Sequence, residues 1–450
     1  MLHLIISILG IILTILFVIG THEAAHFGMA KWLGVKVLRF SIGFGKPIVT
    51  WHDHQGTEYV IAPIPLGGYV KMLDETEDKV KKEELPLAYN RQPYYKKFLI
   101  VLAGPLSNFI CAIILYWLIF IIGFVSVKPV IGHVTTPSIA ASAGLKPNQQ
   151  ITAIDNSDTH SWQDVIFRLL NHMGNSDRIN MTVLDASKSQ TLSLDVSHWK
   201  MGGLMPDPLS SLGIIPYEPE VPMVIGIMLP DSPAAKSGLK IGDKIIAIGK
   251  QKIGDWMQLI DIITNNPDQT MSFQIERDSK PLTLNVTIGA KRNWLFKKYG
   301  SLGIAPKIEL PKSMLQTIHY GPLAAVPEAF REVFDLSYFN LLLIGKMITG
   351  KLSLQGLGGP ITIFESAGNA LNSGMLSFIS FLAFLSISIG LINFFPIPGL
   401  DGGHLLIQTI ETLIRRPIPE KILVFLFRCG FLFIIFILLD ALTNDILRLM

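Results

Sequence analysis

Four long apolar runs limit what this chain can become more than any other feature. They are Met1 to Gly20, Phe98 to Val125, Leu376 to about Phe395, and Ile422 to Leu439. A run of roughly 20 apolar residues is what a helix needs to cross a ~30 Å hydrocarbon layer. Hydrophobic residues make up 49% of the 450 and charged residues only 16%, a balance that fits membrane spans better than an ordinary soluble fold. The first run also invites reading as a cleaved secretory signal. Such a segment wants a basic start, and no Lys or Arg precedes Lys31, so a retained span is expected. The fourth run contains Arg428, expected to snorkel to an interface or pack inside the bundle.

The basic residues give an orientation. Lys31, Lys36, Arg39, Lys46, Lys71, Lys96 and Lys97 follow the first run, and Arg415, Arg416 and Lys421 follow the third. Both loops are expected in the cytoplasm. Both termini and the polar middle then face the opposite side, the periplasm of a bacterium. The net charge of +3 is not gathered into a stripe, so nucleic acid is not an expected partner. The polar middle has no cysteine; Cys111 and Cys429 both lie in apolar runs, so no disulfide framework is expected.

The middle, Lys128 to Pro311, is duplicated. Ser138-Ile-Ala-Ala-Ser-Ala-Gly144-Leu145 matches Ser232-Pro-Ala-Ala-Lys-Ser-Gly238-Leu239. Val130-Ile-Gly132 matches Val224-Ile-Gly226, and Ile151 to Ile154 matches Ile245 to Ile248 in the same register. A further block, Ser211 to Ile214, matches Ser301 to Ile304. A period of about ninety residues suits two tandem small domains rather than a solenoid. Each has short β-rich runs and an Ala-rich helix ended by glycine. The pattern resembles bacterial PDZ domains, which bind extended peptides or C-termini by strand addition. Two spacers without ligands are the alternative. The second copy keeps Gly242-Asp243, whereas the first has Asn148-Gln149, which puts its turn geometry in question.

The first run leads into His22-Glu23-Ala24-Ala25-His26. On a helix, residues four apart share a face, so both imidazoles can hold one metal ion, and zinc suits such nitrogen ligands. Glu23 lies beside that face, where a general base acting on water is needed. Two histidines and a glutamate in five residues of apolar helix are costly unless they pair or bind metal. A catalytic zinc needs a third protein ligand, and Asp401 is the strongest candidate, in Asn393-Phe-Phe-Pro396-Ile-Pro398-Gly-Leu-Asp401-Gly-Gly-His404. His404 is a rival ligand, and Asp401 also suits a helix N-cap. The first and third spans run the same way through the membrane. Both sets of ligands therefore reach similar depth, toward the cytoplasmic side.

Taken together, the metal motif on the first span, the repeat after the second and the Asn393–His404 block after the third resemble the site-2 protease family over nearly the whole chain. Ala24-Ala25 replace the more usual Phe-Gly within the motif, away from the metal face. The resemblance implies a zinc-dependent intramembrane endopeptidase in a bacterial inner membrane. Its substrates would be single-span membrane proteins, such as an anti-sigma factor or remnant signal peptides. It implies a membrane-associated β-hairpin in the region of Gly43-Phe-Gly45 and Glu58 to Lys71, with Gly43 and Gly45 along the substrate path. It implies a substrate-handling role for Asn393, alongside Pro396 and Pro398. It also implies that Lys312 to Ser373, amphipathic with Arg331, Lys346 and Lys351, packs near the outer surface and helps gate access to the site. The run Leu341 to Ile348 is too short to span, so an interfacial helix in contact with lipid is expected.

The expected architecture is a multi-domain membrane protein with a four-span α-helical core, a β-hairpin region and two PDZ-like α+β/β-barrel domains. Its parts are 1–126, 127–220, 221–309, 310–375 and 376–450. A non-catalytic scaffold that binds partners through the repeat is the competing reading. Against it stands Glu23, since a scaffold needs no base beside its ligands. A transporter with a structural metal is weaker still, because no second broken helix stands in a matching position.

Overall fold

The computed structural model describes residues 2–76, 80–172, 178–197, 199, 207–219, 221–292, 298–308, 310–349 and 358–449. The chain divides into two units, Met1–Phe124 with Thr317–Asp445, and Val125–Gln316 with Ile446–Met450.

The first unit is helical with one sheet. Helix α1 (Leu2–Trp32) runs unbroken through the histidine motif and ends at Gly34, whose φ is +80°. A four-stranded sheet follows: β1 (Val37–Phe44), β2 (Val49–His52), β3 (Glu58–Ile61) and β4 (Ile64–Met72), in the order β2-β3-β1-β4. Then come α2 (Tyr94–Ile122), α3 (Ala325–Ile348), α4 (Pro360–Asn372), α5 (Met375–Phe394), α6 (Asp401–Ile414) and α7 (Glu420–Leu449). Among the described residues, four helices have the length and apolarity to cross a membrane: Ile5–Trp32, Tyr94–Ile122, Met375–Phe394 and Glu420–Ile446.

Small residues let these helices approach closely, the usual device where no hydrophobic effect drives helices together. A Cβ on Gly390 of α5 would stand 2.9 Å from Phe109 and 3.2 Å from Asn108 of α2. A Cβ on Gly10 of α1 would stand 2.8 Å from the Ala367 carbonyl of α4. The start of α4 is tied to α7 by the buried Asp445. Its carboxylate accepts from the backbone N–H groups of Gly359 (2.9 Å), Ile361 (2.8 Å) and Thr362 (3.1 Å) and from the Thr362 hydroxyl. Asp445 thus caps a helix far from it in sequence, since no side chain of α4's own N-cap does so.

One expectation needs correction. The β region is not a simple hairpin. β1 pairs antiparallel with β4 but parallel with β3, in register Arg39↔Glu58 to Ile42↔Ile61. The glycine-rich stretch sets a bulge, because the β1–β4 register shifts between Ile42 and Phe44, at Gly43. Gly43 has φ +90°, and a Cβ there would stand 2.5 Å from the Ala62 carbonyl. Leu341 to Ile348, expected in an interfacial helix, is the last part of the 24-residue helix α3. Glu328, Arg331 and Asp335 pair along the earlier part of α3. The charged first half hid the helix from an apolar count. Lys351 lies outside the described residues.

The second unit contains two similar runs, each with its own core. In the first, strands Gln150–Ile154, Arg178–Asp185 and Lys188–Asp195 pack with helix Trp162–Asn171 around Ile151, Leu169, Ile179 and Leu194. In the second, Lys244–Ile248, Thr270–Arg277 and Lys280–Thr287 pack with helix Trp256–Asn265 around Ile245, Leu259, Phe273 and Val286. Ser138 and Ser232 cap the short helices, and Gly144 and Gly238 follow them at φ +87° and +86°.

The odd turn of the first copy proves equivalent to that of the second. Asn148 takes φ +67° where Gly242 takes +96°, a conformation Asn tolerates better than most residues. Buried Gln149 accepts from the Lys146 N–H at 2.9 Å, as buried Asp243 accepts from Lys240 at 2.8 Å. Asp243 then pairs with Arg277, while Gln149 donates to Asp185, the residue at the corresponding strand position.

Candidate metal centre

His22 and His26 lie one turn apart on α1, and their Nε2 atoms are 3.2 Å from each other. Asp401, brought from the far end of the chain, places Oδ2 3.1 Å from His22 Nε2 and 3.3 Å from His26 Nε2. A tetrahedral ion with bonds near 2.05 Å spaces its ligands about 3.3 Å apart. The triangle found therefore has the edge that a zinc ion requires. Two further facts fit an ion between these atoms. Asp401 Oδ2 is buried with no well-aligned hydrogen bond, and His22, His26 and Asp401 form a group that could hold a metal ion.

Local sequence explains how each ligand is held. His26 Nδ1–H donates to the Ile100 carbonyl of α2 at 2.7 Å, which leaves the lone pair of Nε2 free for a metal. That carbonyl is reachable because residue 104, one turn on, is glycine. A Cβ at Gly104 would stand 2.1 Å from His26 Nε2. The carboxamide of buried Asn108 lies 3.2 Å from His22 Nδ1, and its Oδ1 has no partner. A half-turn of the amide exchanges its oxygen and nitrogen. Turned so, Oδ1 accepts from Nδ1–H and fixes His22 in the same tautomer as His26.

Asp401 is the first residue of α6, and Leu400 is its N-cap, so the N-cap reading of Asp401 does not hold. The loop from Phe395 to Leu400 folds under α6. Cβ atoms on Gly402 and Gly403 would stand 2.3 Å from the Phe395 and Ile397 carbonyls. The Asp-Gly-Gly sequence is thus what lets the loop pass close enough to aim the carboxylate at α1. His404 borders the same cavity and packs its ring 5.1 Å from Phe427, but it is outside the ligating group.

The centre opens into a cavity of about 630 Å³. His22, Glu23, His26, Asp401, Tyr89 and the β4 residues Gly68 to Met72 line it. Glu23 is buried beside the triangle, and Gly68 makes room for it, since a Cβ there would stand 2.7 Å from Glu23 Cγ. Burial pushes the Tyr89 phenol up to about 12, and its oxygen accepts from Gln408 Nε2 at 2.7 Å. Tyr89 therefore stays a neutral wall group.

The other expected site residues are not among those described as lining this cavity. Gly43 sits at the β1 bulge, and Gly45, with φ +104°, faces Pro63 and Ile64. Pro398 is packed under α7, where a Cβ on Gly430 would stand 1.8 Å from its carbonyl oxygen. Asn393, half-buried, and Pro396, exposed, lie at the end of α5 and in the loop beyond it. Sequence reading missed Ile100, Gly104, Asn108 and Gly68. A signal existed for Asn108, a polar residue inside an apolar span, and for Gly67-Gly68 within a strand.

Helices long and apolar enough to cross a membrane, a His-Glu-x-x-His pair facing a carboxylate at zinc-ligand spacing and an adjoining cavity are the features of a membrane metallopeptidase. The comparisons agree. The profile of peptidase family M50 matches residues 10–437. The regulator of sigma-E protease RseP of Salmonella typhimurium is 39% identical over the full length of both chains. A Vibrio cholerae chain named "Putative zinc metalloprotease" is 36% identical over 98% of this chain and 99% of its own. Among solved structures, the PDZ domain of an SdrC-like protein from Listeria innocua matches 20% of this chain and 97% of its own at 19% identity, with a TM-score of 0.17. This chain belongs to peptidase family M50, the site-2 protease family, and is a zinc-dependent metalloprotease.

Proposed function

We propose that this protein cuts single-span membrane proteins within the bilayer, with His22, His26 and Asp401 as zinc ligands and Glu23 as general base. The carrying observation is the ligand triangle at tetrahedral spacing with a buried carboxylate at its side. Zinc supplies Lewis acidity toward a peptide carbonyl and toward water. Glu23 takes the proton of the attacking water and returns it to the leaving amine. The two imidazoles keep their Nε2 atoms inward because their Nδ1 sides are occupied by Ile100 and Asn108.

A helical substrate must unwind before a carbonyl can reach the centre, and unpaired backbone is costly in lipid. β4 answers this need. It is an edge strand, with β1 on one side and no described strand on the other, and Gly68 to Met72 border the metal cavity. An unwound segment added along β4 keeps its backbone hydrogen-bonded while its carbonyl approaches Glu23. Asn393 steadies the substrate or the developing oxyanion. Gly43, Gly45, Pro396 and Pro398 shape the approach outside the cavity wall.

The two repeats of the second unit act as tandem PDZ-like domains that receive peptides or C-termini. They admit substrates already trimmed outside the membrane, such as an anti-sigma factor or a remnant signal peptide. The protein lies in a bacterial inner membrane with both termini and the repeats in the periplasm and the metal centre toward the cytoplasm. Zinc analysis combined with cleavage of a reporter span tests the catalytic assignment. Glu23→Gln keeps zinc and loses cleavage, while Asp401→Ala loses both. Cleavage by Glu23→Gln at the wild-type rate refutes the role given to Glu23.

A further inference from the structure

A second cavity, of about 260 Å³, lies at the start of α2 and the end of α6. Tyr94 and Lys97 line it from α2, and Gln408, Glu411, Thr412, Arg415, Arg416 and Pro417 line it from α6 and the turn beyond. Three cations meet one carboxylate there. That carboxylate is engaged, because Glu411 Oε1 accepts from the Ile418 N–H at 2.9 Å and staples the turn. Among the described residues, no ion pair joins Lys97, Arg415 or Arg416 to a carboxylate; Lys97 Nζ lies 5.9 Å from the Tyr89 ring centroid, and the three cations outnumber the single carboxylate of the hollow. Arg415 has φ +53°, a conformation glycine adopts freely and arginine does not. That conformation is the C-cap of α6, which ends the helix at the hollow.

The position decides the ligand. The cavity adjoins the first turn of one membrane span, Tyr94–Ile122, and the turn that enters another, Glu420–Ile446. That is the level of lipid headgroups. We propose that this hollow binds the phosphodiester of an anionic phospholipid headgroup, held by Lys97, Arg415 and Arg416. Basic hollows between spans at the headgroup level are suited to that chemistry, and basic residues at an anionic surface each contribute attraction. Guanidinium forks grip phosphate oxygens in pairs, which favours arginine at the two turn positions.

The test is native mass spectrometry of the full-length protein in neutral detergent. It is titrated separately with phosphatidylglycerol, phosphatidylcholine and inorganic phosphate. Phosphatidylglycerol is expected to bind, with little binding of phosphatidylcholine and little competition from inorganic phosphate. Removing a cation should weaken the lipid about fivefold. Arg415→Gly is the decisive variant, because glycine suits the turn and cannot fail through the backbone. Lys97→Ala and Arg416→Ala should lose affinity likewise, and Lys81→Ala with Lys82→Ala, away from the hollow, should not. Wild-type lipid binding by Arg415→Gly overturns the proposal, as does equal binding of phosphatidylcholine. Inorganic phosphate binding as tightly as the lipid overturns it too, in favour of a soluble anion.

Discussion

Gly104→Ala should abolish the metal centre while leaving every ligand in the sequence. The added methyl would stand 2.1 Å from His26 Nε2, 2.5 Å from its Cε1 and 2.8 Å from His22 Cε1. Ordinary contact begins near 3.4 Å, so the His26 ring must retreat about 1.3 Å. A free ring tip would turn aside cheaply. This one is tied at Nδ1 to the Ile100 carbonyl at 2.7 Å and must hold its place against Asp401. Helix α2 cannot back away instead, because Gly390 of α5 already lies against Phe109 and Asn108. Metal ligation tolerates errors of about 0.2 Å, and a misplacement near 1 Å costs on the order of 100-fold in rate. The expected result is loss of stoichiometric zinc and a fall of at least about 100-fold in reporter cleavage. Gly28→Ala on α1 is the control, since a Cβ there meets nothing within 4 Å. Elemental analysis and a cleavage assay on matched amounts of folded protein decide the matter. A Gly104→Ala protein with full zinc and full activity would show that the helix contact described here is not what seats the imidazoles.

Asn108→Ala should lower zinc affinity by about 10–100-fold, the usual effect of removing an outer hydrogen bond to a ligating imidazole, read by competition with a chelator. Asp445→Ala should destabilise the start of α4 by about 2–4 kcal/mol, since it strands several backbone donors and the Thr362 hydroxyl, with faster amide exchange confined to the first turn of that helix as the signature. The second repeat should be more sensitive to acid than the first. Burial pushes the Asp243 carboxyl up, but the Arg277 guanidinium and the Lys240 amide outweigh it and hold it below the usual value. A carboxylate lowered in the folded state contributes stability above its unfolded value, and that contribution is lost as pH falls through the folded one. Proteolysis of the full-length chain across an acid series should therefore cut the second repeat first, and Asp243→Asn should remove the difference; equal sensitivity of the two repeats would contradict the pairing.

Much of the centre was legible because its rules are local. Four-residue spacing places His22 and His26 on one face whatever surrounds them, and the parallel course of the first and third spans brings Asp401 to the same depth. The supports were not legible, because they act by having no side chain or through backbone. Gly104 matters for what it leaves empty, and Ile100 offers a carbonyl that every residue owns. Neither leaves a mark in periodicity or charge. The sheet was misread for a related reason. A glycine-rich alternation predicts strands and turns, but nothing in it says that β1 pairs in parallel with β3, which depends on the path of the chain between them. The Asn148-Gln149 turn looked deviant by residue type and is conventional by φ and hydrogen bond, because an amide can replace both the freedom of glycine and one acceptor of aspartate.

The parts that build the metal centre lie far apart in sequence and close together in one unit. α1 carries His22, Glu23 and His26, α2 contacts both imidazoles, β4 lines the cavity and α6 carries Asp401, and all four belong to the unit made of Met1–Phe124 and Thr317–Asp445. The main segment of the second unit, Val125–Gln316, is inserted between α2 and α3. An insertion of that size costs little in loop-closure entropy, which grows only with the logarithm of length. The ends it joins are already fixed, since the Tyr320 N–H donates to the Phe120 carbonyl at 2.9 Å beside the insertion point. Chemistry and recognition are thus free to vary separately. On the proposed reading, the glycines and carbonyls that shape the metal centre all belong to the first unit, so a change in the repeats is expected to alter substrate choice and leave the ligand triangle as it is.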